Sequence, residues 1–172
     1  MVTLSAALKS LKHTPVSISD LQALVPTKCK VVKLQALKGT HRTVLFKNLR
    51  ALVVLLPSTV SKIGHYICLL PRRNHIEYFS SLGNSPSKEA TLLHNDEGTI
   101  KSLLGTQFIY NRTPLQDRTD FKITTCAMFV VARAFLSDLK LREFVSLFSK
   151  PIAANTPDDI VAFMNFLRFQ DV

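Results

Sequence analysis

Residues 51–57, Ala-Leu-Val-Val-Leu-Leu-Pro, constrain the fold more than any other stretch of the chain. Six aliphatic residues in a row, closed by a proline, show no apolar/polar alternation, so a strand formed there has no face to offer water. It needs cover on both sides, and the rest of the chain must supply apolar elements for two layers.

Those elements are legible. Residues 64–70 (GHYICLL) and 75–79 (HIEYF) read as strands joined by Arg72, Arg73 and Asn74. With 51–56 they predict an antiparallel meander. Residues 30–34 (KVVKL) predict a further strand, 108–110 a brief one, and 44–50 fit helix or strand equally well. Leu4, Ala7, Leu8 and Leu11 are spaced for a helix over 3–12; Ser17 opens a second with a capping-box pattern, and Pro26 stops it. From Thr124 the chain predicts a helix apolar nearly all round, headed by Cys126 and capped by Thr124 or Thr125: the central buried helix. Helices are also expected over 97–104, 139–148 and from Thr156-Pro157-Asp158-Asp159 to Phe169, whereas 57–62 and 80–88 carry turn chemistry and 112–122 reads as a charged loop.

At 172 residues and 47% apolar, the chain fits one domain with a self-sufficient core. Its longest apolar runs fall short of the roughly 20 residues of a membrane span, and the start lacks a secretory-signal layout. A soluble, intracellular protein is expected, without membrane contact. Three cysteines with no CxxC pair argue against a disulfide framework and a zinc ribbon. His65 and Cys68, three apart on a strand, face opposite ways and cannot share a metal. The charge of +10 is lopsided: residues 1–50 hold nine Lys or Arg against Asp20, net +8, while the other 122 hold thirteen against eleven. A cationic part of this kind suits a polyanionic partner such as nucleic acid, and it also serves solubility.

Three residues could do chemistry together. Cys126 in a first helical turn would face unsatisfied N–H groups and the positive dipole end, which favour a thiolate; a buried structural cysteine is the plainer reading of the same residue. His65, on a rigid strand, shares a face with Ile67 and Leu69. Gln116 lies in a loop ten residues before Cys126, close enough to bring its amide toward the helix start. A thiolate attacks, an imidazole handles protons, and a carboxamide can hold an oxyanion. Glycine-rich phosphate loops, paired catalytic carboxylates and a Gly-x-Ser-x-Gly elbow are absent.

Taken in order, these segments resemble the adenovirus-type (adenain-like) maturation proteases of viruses, virophages and polinton-like elements, kin of the SUMO-deconjugating cysteine proteases. The likeness runs through 51–57, Gly-His-Tyr-Ile-Cys-Leu (64–69, with Tyr66 for the usual Trp), 76–83, Leu115-Gln116 and Thr-Thr-Cys-Ala-Met-Phe (124–129), spanning about Ser17 to Leu136. The resemblance implies an α+β fold of the papain-like superfamily, with a mixed sheet packed on the buried helix. It further implies a single protease domain over 1–172: a basic part (1–50), a catalytic core (51–136) and C-terminal helices (137–172). Cys126 would be the nucleophile, His65 the general base and acid, and Gln116 with the Cys126 N–H the oxyanion hole. Two positions depart from the pattern. Ala127 replaces the glycine after the cysteine, and Ser80 stands where the family has an acid or Asn to orient the histidine, so a Cys–His dyad is expected, with the stabilising charge lost.

The implied work is endoproteolysis of capsid precursors during particle maturation. It would proceed in the infected cell's nucleus or cytoplasm and in the virion, in a monomer that needs no cofactor but responds to nucleic acid or a viral peptide. Two alternatives share the residues: deconjugation of ubiquitin-like modifiers, and a catalytically impaired virion or nucleic-acid-binding protein that keeps the fold.

Overall fold

The structure is a computed structural model that describes residues 4–58, 64–117, 119, 124–148 and 155–170. Five strands form one mixed sheet in chain order: β1 (Cys29–Lys33), β2 (Ala51–Leu56), β3 (His65–Pro71), β4 (Ile76–Ser80) and β5 (Phe108–Tyr110). The middle three are the expected antiparallel meander, in register Leu56 to His65 and Ile67 to Ser80. The outer pairs, β1 with β2 and β4 with β5, run parallel and therefore need crossovers.

The crossovers and the remaining helices supply the two layers that β2 demands. On one face a 3₁₀ turn (Leu34–Leu37), α3 (Arg42–Phe46), α4 (Pro86–Leu92) and α5 (Glu97–Leu104) cover Leu52, Val54, Ile67, Leu69 and Tyr78. On the other lie α1 (Leu4–His13), α2 (Ile18–Leu24), α6 (Cys126–Phe135), α7 (Leu141–Ser146) and α8 (Pro157–Gln170), over Val31, Val53, Cys68, Leu70 and Phe79. Helix α6 packs on β3 and β4 with every residue from Cys126 to Ala134 buried, as its all-round apolar sequence requires. The fold is thus α+β, a mixed sheet against a buried helix that begins at Cys126.

Local signals act where they were read. Ser17 and Asp20 form a capping box on α2, and the Thr156 hydroxyl accepts from Asp159 N (3.2 Å) at the head of α8. Of the ambiguous 44–50 stretch, residues 44–46 lie in helix α3 and 47–50 form a turn into β2. Two readings change. Neither threonine caps α6 through its side chain: the Thr124 hydroxyl reaches Lys12 O, and that of Thr125 is spent on Asp158. Residues 80–88 are not all turn, because Ser85 caps α4 (Lys88 N to Oγ, 3.3 Å) and Pro86 enters its first turn. Most of the expected turn at 57–62 and part of the charged loop at 112–122 lie outside the described residues.

Buried Glu77 on β4 faces away from the His65 side, as alternation requires. It binds Arg72 (2.9 and 3.1 Å) and Arg133 (2.5 Å), the latter fully buried within α6. This cluster ties the β3–β4 hairpin to α6 and plays no part in the site.

Candidate active site

The site forms where the first residue of β3, the last of β4 and the starts of α4 and α6 meet. Alternation sends His65 into the α4–α5 layer, alongside Ser80 two register steps away on β4, and the His65 Nε2–Ser80 Oγ distance is 3.1 Å. Helix α4 then adds a residue that the sequence reading missed. Glu89, 1% exposed, places Oε1 3.2 Å from His65 Nε2, accepts the Ser80 hydroxyl on that oxygen (2.8 Å), and accepts Tyr78 Oη on Oε2 (2.6 Å).

The expected loss of charge behind the histidine is therefore corrected. A carboxylate stands beside the ring, delivered by a helix instead of by the strand's own last residue. Ser80 becomes its hydrogen-bond partner and not its substitute. A carboxylate oxygen at this distance accepts from a proton on His65 Nε2 and so favours that tautomer. The signal was present in Ser85-Pro86, an N-cap serine before an N1 proline, which starts a helix and puts Glu89 one turn in.

Cys126 opens α6, 7% exposed, and its sulfur is hydrogen-bonded to His65. Burial alone would push the thiol up. The His65 hydrogen bond and charge, with the backbone N–H groups of Tyr66 and Ala127, outweigh it and hold Cys126 below the ordinary thiol range. His65 mirrors this: burial favours the neutral ring, but Glu89 and Cys126 together raise its pKa above the ordinary imidazole value. The two shifts run in opposite senses, each favouring the charged form of its group, with a carboxylate behind the ring. By contrast, burial pushes Cys68 up to about 12 and also raises Cys29, so neither is a thiolate at neutral pH.

Gln116 is brought in through Ser81, the neighbour of Ser80. Ser81 O accepts from Leu115 N (2.8 Å) and Gln116 N (3.0 Å), and the Ser81 hydroxyl donates to Gln116 Oε1 (2.8 Å). Gly83 (φ +63) permits the close approach, since a Cβ there would lie 2.6 Å from the Thr113 carbonyl carbon. Asp158 of α8, 1% exposed, accepts Asp117 N (2.8 Å) on one oxygen and the Thr125 hydroxyl on the other, which straps the loop after Gln116 to the residue before Cys126.

A groove of about 830 Å³ leads to Cys126, walled by Pro15, Val16, Leu55, Gly64, Tyr66 and Ala127 among others. Tyr66 fixes one wall by donating Oη to Val16 O (3.0 Å). No cluster of His, Cys, Asp and Glu able to hold a metal occurs among the described residues.

No family model and no curated protein matches the chain. Among the solved structures that are similar to it are two. One is the central domain of the uncharacterized Lpg1148 protein from Legionella pneumophila, at 16% identity over 91% of this chain and 93% of that one, with a TM-score of 0.45. The other is the SUMO protease Ulp1 with its catalytic cysteine oxidized to a sulfonic acid, at 14% identity over 91% and 80%, with a TM-score of 0.42. Both likenesses are slight.

Proposed function

We propose that this protein is a thiol peptidase working through Cys126, His65 and Glu89. The observation that carries the reading is the buried line Glu89–His65–Cys126, in which the one thiol of three that is held below the ordinary thiol range lies against an imidazole raised above its own. The Cys126 sulfur adds to the carbonyl carbon, and its oxygen takes the charge, facing Gln116 Nε2 and the Cys126 N–H. Collapse breaks the C–N bond as the imidazolium gives its proton to the leaving amine. Water, deprotonated by the same ring, then attacks the thioester and returns the thiolate. Glu89 keeps its charge throughout and stabilises the imidazolium. The groove suits an extended polypeptide: it is largely apolar and reaches the sulfur.

Capsid precursors as substrate, action in the infected cell and virion, and a response to nucleic acid or a viral peptide rest on the sequence resemblance of the segments around His65, Gln116 and Cys126. Glu89 favours an active enzyme over an impaired one, because a buried carboxylate with both oxygens engaged behind His65 is what a charged imidazole requires.

The test is hydrolysis of a diverse peptide pool by the intact protein, with products identified by mass spectrometry, alongside a ubiquitin-like fusion. Cleavage abolished by Cys126→Ala and by His65→Ala is expected. Turnover unchanged in Cys126→Ala would end the proposal, and preference for the fusion over every peptide would assign deconjugation instead.

A further inference from the structure

At the far end of β3 from His65, about 20 Å of strand away, a pocket of about 450 Å³ is lined by Arg42, Phe46, Arg72, Arg73, Asn74 and Gln107 among others. No carboxylate lines it. We infer that this pocket is a binding site for a compact phosphate-bearing anion, separate from the peptidase groove and independent of that reading.

Two of the arginine side chains are anchored before any ligand arrives. The Arg42 guanidinium lies over Gly105, where a Cβ would come within 2.0 Å of Nη1, and one of its N–H groups is donated to Leu104 O (3.2 Å). Gly105 leaves room for this contact, and the bond to Leu104 O tethers Arg42, an exposed residue, at the rim of the pocket. Arg72 is locked by its two bonds to Glu77 and a third to Leu139 O (2.9 Å). The turn carrying Arg73 and Asn74 is closed by Arg72 N to His75 O (2.9 Å), and its base is tied to the neighbouring loop by Ile76 N to Gln107 O (3.1 Å).

Charge does not cancel here. Glu77 is one negative charge shared between Arg72 and Arg133, leaving that cluster at +1. Neither Arg42 nor Arg73 meets a carboxylate among the described residues. Three arginines thus line a concavity with a partly buried aromatic, Phe46, at its side, two of them (Arg42 and Arg73) without a carboxylate partner among the described residues and the third paired with Glu77. Guanidinium groups bind phosphate oxygens in pairs, and prepositioned ones lose little freedom in doing so. The concavity favours a compact group, such as pyrophosphate or the phosphate end of a nucleotide, over a long strand lying across a flat basic face.

The experiment is isothermal titration of the full chain with inorganic pyrophosphate and, separately, with inorganic triphosphate and a nucleoside triphosphate, all at fixed ionic strength, with circular dichroism to check folding. Arg73→Gln, at an exposed turn position, and Arg42→Gln should each weaken pyrophosphate at least tenfold, while Lys30→Ala, an exposed cation outside the pocket, should leave it unchanged. Should Arg42→Gln misfold, Arg73→Gln decides alone. Tighter binding of the nucleoside triphosphate than of inorganic triphosphate, which carries the same number of phosphates, would place a base against Phe46; equal binding would make phosphate itself the ligand. Undiminished binding in Arg73→Gln, or an equal loss in Lys30→Ala, would reduce the effect to the diffuse attraction of a +10 protein and overturn the inference.

Discussion

Glu89 Oε1 and Ser80 Oγ lie 2.8 Å apart, and both sit within hydrogen-bonding reach of His65 Nε2. A serine at the end of β4 and an acid one turn into α4 thus divide a task usually given to one side chain.

Glu89→Gln should keep the packing and remove the charge. We expect kcat/KM to fall by about 10²-fold, less than the ~10⁴ seen when a serine triad loses its acid, because a preformed thiolate needs less help from its base. Ser80→Asp, which chain order alone would suggest as a repair, should do harm: it crowds a second buried carboxylate against Glu89, and one must take up a proton. Steady-state kinetics and thermal unfolding of both variants test this. An active, stable Ser80→Asp would show that Glu89 is not the orienting group.

The opposed shifts of Cys126 and His65 set a pH window. Cys126 is depressed, so the stability its thiolate contributes is present above the unfolded thiol value and lost as pH falls through the folded one. His65 is raised, so its contribution is present below the unfolded imidazole value and lost as pH rises through the folded one. Between the two folded values, which belong to the pair as a whole, the ion pair dominates. Iodoacetamide at pH 6 should therefore modify Cys126 at least tenfold faster than Cys29 or Cys68, and His65→Ala should erase that advantage, as read by peptide mapping. Equal rates at all three cysteines would contradict the ion pair.

Asp158→Ala severs the strap between the Gln116 loop and Thr125. The loss of two partners to a buried carboxylate should lower stability by about 1–3 kcal/mol. It should also depress kcat more than it raises KM, since a loosened oxyanion donor is felt chiefly in the transition state. A pure KM effect would mean that the strap serves substrate binding alone.

Tyr66→Phe removes only the bond to Val16 O. Stability should drop by about 1 kcal/mol, and KM for a long peptide should rise several-fold with kcat nearly unchanged. Burial pushes the Tyr66 phenol up to about 12, with the nearby Cys126 charge adding to the effect, so this bond persists through the working range of the thiolate. If kcat falls instead, Tyr66 acts on Cys126 through its backbone N–H.

The sheet was legible because its strands announce themselves by composition: an unbroken aliphatic run at 51–56 and alternation through 65–70 fix which residues face which layer. The placement of His65, Ser80 and Glu77 followed from that two-residue period. Glu89 was not seen, because its role depends on where a seven-residue helix docks, a long-range fact that spacing along the chain does not encode. The cap of α6 was misread for a similar reason. Thr125 is a good capping residue whose hydroxyl finds a stronger acceptor in a carboxylate 33 positions later. Local propensity names the competitors, and tertiary contact picks the winner.

His65 and Glu89 belong to one apolar layer and Cys126 to the other, so the sulfur meets its imidazole only after both sides of the sheet have closed. A half-assembled chain has neither the lowered thiol nor the raised imidazole, so the pair is a property of the closed two-layer fold alone.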